Sequence, residues 1–77
     1  MTLYELSAEY RAQAELIHER LRMERRLEAE VLDEDERSRI RDRIRILSAM
    51  WRDTRDIAIL TEYYYERSRG RNAKYIL

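Results

Sequence analysis

The 77-residue sequence has no cysteine, no proline and no phenylalanine, and a single glycine. Without cysteine there is neither a disulfide framework nor a thiolate metal site, so a chain this short must be held by packing or by association. With no proline, and Gly70 as the one residue free to take positive φ cheaply, the turn chemistry of β-sandwiches, barrels and loop-rich binding folds is missing. A phosphate-cradling glycine loop is excluded for the same reason. Long apolar runs are lacking as well. Nothing approaches the ~18 consecutive apolar residues of a membrane span, and Met1 to Glu5 has neither the basic region nor the apolar stretch of a signal peptide. The expectation is one small cytoplasmic unit with no membrane partner.

What is present is charge interleaved with helix-forming apolar residues. Charged side chains make up 42% of the chain and hydrophobic ones 44%, enough apolar surface to fold and far too much for a disordered acidic segment. Thr2, with Glu5 three residues on, reads as a capping box in which hydroxyl and carboxylate each satisfy an orphan amide at a helix start. From there Leu3, Leu6, Tyr10, Ala14, Ile17, Leu21 and Val31 recur on one stripe of a helix advancing ~100° per residue, interrupted by Gln13, Glu24 and Glu28. Asp33 and Glu36 repeat the capping pattern among the acids Asp33 to Glu36, which suit the positive end of a second helix.

The second helix carries Ile40, Ile44, Leu47, Trp51, Thr54, Ala58, Thr61 and Tyr65 on its stripe. That stripe is rotated by roughly a quarter turn from where the first would continue, which argues for a break rather than one continuous helix. The predicted organisation is helix 1 over about 3–31, a turn over about 32–35, helix 2 over about 36–69, and a tail over 70–77 after Gly70 as a left-handed cap. The fold class is all-α, an antiparallel hairpin of two long helices.

Ile46, Met50, Ile57, Leu60 and Tyr64 form a second apolar row on helix 2, broken only by Asp53, and Leu16, Met23 and Leu27 lie off the main stripe of helix 1. A lone hairpin would leave this strip in water, so the expected solution is a homodimer closing a four-helix bundle with coiled-coil-like packing. Its interface residues are Ile46, Met50, Trp51, Asp53, Ile57, Leu60 and Tyr64, with Asp53 pairing to an arginine of the partner.

The zero net charge conceals an asymmetry. Residues 1–36 hold eleven acids and five arginines, and residues 37–77 the reverse balance of five acids and eleven bases. Arg37, Arg41 and Arg45 form a like-charged row that needs counter-charges, which Glu24, Glu28 and Glu30 would supply in an antiparallel hairpin. The alternative is a phosphate-binding ridge of Arg37, Arg41, Arg45, Arg52 and Arg55 serving a small nucleic-acid-associated regulator. Of Tyr63, Tyr64 and Tyr65, helical spacing sends only Tyr63 outward, which favours packing over base stacking. The tail residues Arg71, Lys74, Tyr75, Ile76 and Leu77 either fold back or engage another protein.

Support for catalysis is thin. His18, the one histidine, follows Glu15 at the Glu-x-x-His spacing of di-iron bundles, but helix 2 offers no inward carboxylates to complete such a site, so a rim histidine is expected. Serines share that one histidine without a glycine turn for an oxyanion hole. The acids at 33–36 lack the spaced ligands and glycine of a calcium loop. Neither enzyme chemistry, nor a metal, nor a cofactor is expected.

Arg55, Asp56, Ile57, Ala58, Ile59, Leu60, Thr61, Glu62, Tyr63, Tyr64, Tyr65, Glu66 and Arg67, leading to Arg71, Asn72, Ala73, Lys74 and Tyr75, resemble the C-terminal pattern of small uncharacterised helical proteins of bacterial mobile or phage-like elements. That resemblance covers the last quarter to third of the chain. It implies a bacterial helical protein and no particular activity. Two functional readings follow: a non-enzymatic oligomerisation or protein-interaction module, and, as the alternative, the phosphate-binding regulator.

Overall fold

In a computed structural model of the chain, residues 1–75 are described, with side chains described through Arg67. Two helices make up the fold: α1 (Leu3–Glu30) and α2 (Glu34–Tyr75). They pack antiparallel as a hairpin, a rod with extents of 61 × 15 × 14 Å. No strand is present among the described residues.

Each helix start is fixed locally. The Thr2 hydroxyl accepts the Glu5 amide at 3.0 Å, as a cap should. The reciprocal half of the capping box differs from expectation, because the Glu5 carboxylate takes the Thr2 hydroxyl hydrogen at 3.1 Å. Asp33 caps α2 by accepting the Glu36 amide at 3.1 Å, while Glu34, Asp35 and Glu36 place negative charge against the helix start. Between the helices, Val31 adopts an extended conformation (φ −74°, ψ 138°), which ends α1 without a glycine. The Arg37 guanidinium then donates to the Val31 carbonyl at 2.6 Å, tying the turn to the first turns of α2.

The C-terminal boundary corrects the sequence expectation. α2 does not stop at 69 with Gly70 as a left-handed cap; it runs through Gly70 to Tyr75. A single glycine inside a helix costs only about 1 kcal/mol relative to alanine, so it cannot by itself end a helix whose neighbours are helix formers.

The seam between the helices follows the two stripes. Leu21 and Ile40 are each only 2% exposed, and Ala14 and Ala58 are buried beside them. Ile17, Ile44, Leu47, Trp51 and Tyr65 are half-buried, with Tyr4 and Tyr65 meeting at 5.5 Å between ring centroids near the open end. Among the described residues, three buried seam residues are polar. Ser7 and Thr61 satisfy their hydroxyls on backbone carbonyls, donating to Tyr4 at 2.7 Å and Ile57 at 2.6 Å, so their small side chains fill the seam without an unmet hydrogen bond. Glu24, 5% exposed, is met by Arg43 from α2 at 3.1 Å and by Arg20 one turn earlier at 3.7 Å.

Candidate functional site

The seam uses one stripe per helix and leaves two flanks. On α1, the row Leu16, Met23 and Leu27 lies roughly 130° before the seam direction; on α2, the row Ile46 to Tyr64 lies roughly 110° before its own. Antiparallel helices wind in opposite senses when viewed along one axis, so offsets of the same sign bring both rows to the same side of the hairpin. All eight side chains are exposed, with Leu16 at 66% and Ile46 at 60% the most open. Arg20 and Ile46 line one cleft on this side, together with Glu24, Arg43 and Leu47.

Within this apolar face the predicted interface residues divide. Ile46, Met50, Ile57, Leu60 and Tyr64 are exposed together, and Asp53 sits exposed among them with no ion-pair partner among the described residues. Trp51 is elsewhere. It belongs to the seam, half-buried, with its ring stacked on His18 at 5.1 Å and 23° and the Arg55 guanidinium 4.8 Å from its centroid. The structure thus places Trp51 on the main stripe, with the seam residues, and apart from the exposed row.

The opposite flank is rich in arginine, and most of it is paired. Arg37 bonds Glu34 at 2.8 Å, Arg41 approaches Glu28 at 3.8 Å, Arg45 approaches Asp42 at 3.6 Å, and Arg55 meets Asp56 at 3.2 Å. Of the five arginines of the predicted ridge, Arg52 alone has no carboxylate within ion-pair reach among the described residues. Of the expected cross-helix counter-charges to the row, Glu28 meets Arg41, whereas Glu24 goes to Arg43, Arg37 and Arg45 find their carboxylates within α2, and Glu30 is in none of the ion pairs among the described residues; Arg11 pairs with Glu62 across the open end. Exposed pairs of this kind contribute little energy each, but they neutralise the like-charged rows that would otherwise repel.

Tyr63 faces outward as its spacing requires, with Tyr64 edge-on at 5.9 Å and Arg67 5.9 Å from its ring centre. His18 is a seam-edge residue on the Trp51 ring. No group of three or more His, Cys, Asp or Glu side chains that could hold a metal occurs among the described residues. No described helix is long and apolar enough to cross a membrane. Arg71, Lys74 and Tyr75 fall within α2, with side chains outside the described residues, and Ile76 and Leu77 lie outside them altogether.

The joining of the two off-stripe rows into one face is the feature a single-helix reading misses, since it depends on the antiparallel turn. No protein-family model matches the chain, and no match was found among curated proteins or solved structures.

Proposed function

We propose that this chain is a non-enzymatic helical oligomerisation module whose apolar face pairs with the same face of a second copy, closing a four-helix bundle. The observation that carries this reading is the joint face of Leu16, Met23, Leu27, Ile46, Met50, Ile57, Leu60 and Tyr64, exposed from both helices on one side. Exposed apolar rows on one side of a small fold mark an interaction surface, here with Arg20, Glu24 and Arg43 in the cleft between them, and a self-complementary face suits two-fold pairing.

Surface area supports a second copy as the occupant. The chain exposes 6341 Å². A compact monomer of 9.5 kDa would expose about 5,000 Å². The excess of about 1,300 Å² is larger than the roughly 800 Å² that each partner contributes to a standard interface, so the rod exposes surface enough for one. Asp53 fits the same account: a carboxylate on an apolar face would be costly to bury alone, and a guanidinium from the second copy would both neutralise it and fix the register.

Leu60→Glu tests the reading. Leu60 is exposed in the hairpin, so the substitution leaves the seam intact while placing a charge within the paired face. Size-exclusion chromatography with light scattering should give twice 9.5 kDa for the native chain and a shift towards 9.5 kDa for the variant. A native monomer, or a variant that dimerises unchanged, would contradict it.

A further inference from the structure

We infer that the arginine flank holds a discrete binding site for a phosphate monoester, built by Arg25 of α1 and Arg52 of α2 over Ser48 and His18. These four line one cleft of about 350 Å³ between the helices, on the side away from the apolar face, with Leu21 and Trp51 at its floor. No carboxylate lines it, and neither Arg25 nor Arg52 has an acidic partner among the described residues. In the other described clefts the cations are accompanied. Arg20 and Arg43 meet Glu24, Arg26 lies with Glu30, and Arg11 and Arg55 meet Glu62 and Asp56. Of these clefts, the Arg25–Arg52 cleft is the one whose lining holds two guanidinium groups and no carboxylate.

The donor set selects the ligand. Two guanidinium forks carry ten N–H donors in the planar geometry that suits oxyanions, and a tetrahedral dianion of about −1.5 to −2 charge at neutral pH matches their summed charge. Ser48 is half-buried and its hydroxyl makes no hydrogen bond within the chain among the described residues, so it is free to donate as well. Trp51 does not offer a stacking surface for a base, since His18 covers one side of its ring and Arg55 also lies over it. Recognition therefore rests on the phosphate. Along α2 the positive track is also short, because the flanking Arg45 and Arg55 are engaged by Asp42 and Asp56. A single phosphate fits this better than a nucleic-acid backbone, which would need a continued row of free cations.

Trp51 is the one tryptophan and forms part of the cleft, so its emission reports on occupancy. The full chain is titrated with inorganic phosphate and with ribose 5-phosphate against sodium chloride of matched ionic strength, followed by Trp51 fluorescence and by amide NMR shifts. The expected result is a saturable change centred on residues 18–25 and 48–52. Arg25→Ala or Arg52→Ala should weaken binding about tenfold, the loss of one charge-assisted contact, while Arg45→Ala, in a paired position, should leave it unchanged. Far-ultraviolet circular dichroism checks that the variants remain helical. No saturable shift by either readout, or binding by both site variants as tight as that of the native chain, would overturn the site. Preferential binding of a short DNA duplex, with a salt dependence corresponding to several phosphates, would overturn its discreteness.

Discussion

His18 of α1 lies against Trp51 of α2 with ring centroids 5.1 Å apart and planes 23° from parallel, which makes this pair a cross-helix clamp at mid-hairpin. An offset stack of this kind adds to the apolar area that Trp51 buries, and Arg55 extends the stack from its own helix at 4.8 Å. Trp51→Ala should destabilise the fold by about 2–3 kcal/mol, below the usual cost for a fully buried tryptophan because the ring is only half-buried. His18→Ala should cost about 1 kcal/mol, the stacking contribution alone. Urea unfolding followed by circular dichroism measures both. Equal, negligible effects would mean the stack does not hold the seam.

Glu24 is the one buried acid of the seam, and its charge is met by Arg43 and Arg20. Arg43→Ala should cost about 1–2 kcal/mol, less than the full penalty for orphaning a buried charge because Arg20 remains and Arg43 is itself half exposed. Glu24→Leu should be neutral or mildly stabilising, since an apolar residue needs no counter-charge there. In that background Arg43→Ala should cost little. A double-mutant cycle by chemical denaturation tests this, and additive effects would show that the two side chains do not act as a pair.

The turn depends on Asp33. Its carboxylate holds the Glu36 amide at 3.1 Å, so Asp33→Ala should lower stability by about 1 kcal/mol and Asp33→Asn by much less, as asparagine caps nearly as well. Thermal melts at fixed protein concentration compare the two. Identical losses would point to charge at the helix start rather than the cap.

The hairpin was legible in the sequence because its stripes keep helical period through Leu21, Ile40 and Ala58, and because Asp33 marks a start that needs no glycine. The buried polar residues were harder to read. Ser7 and Thr61 enter the seam by returning their hydroxyls to the backbone, and Glu24 by recruiting two arginines, neither of which a count of apolar positions detects. Gly70 misled in the other direction: its type suggested a cap, but the neighbouring helix formers carry α2 past it. The arginine flank illustrates the same limit. Spacing along α2 grouped Arg37, Arg41, Arg45, Arg52 and Arg55, whereas the cations left without a carboxylate in one cleft, Arg25 and Arg52, come from different helices.

If the apolar face pairs with a second copy, folding and association are linked and the melting temperature must rise with protein concentration. Substitution of Ile57 by serine should reduce that rise while leaving the seam residues Leu21 and Ile40 untouched. Melts across a hundredfold range of concentration would display the difference, and a concentration-independent midpoint would argue against linkage.

Sedimentation equilibrium of the native chain over a dilution series, run beside Leu60→Glu, tests the central claim most directly. The account predicts a native mass of twice 9.5 kDa that falls towards 9.5 kDa only on dilution, with the variant at or near the lower value throughout. A native chain that stays at 9.5 kDa at every concentration while remaining fully helical would contradict it.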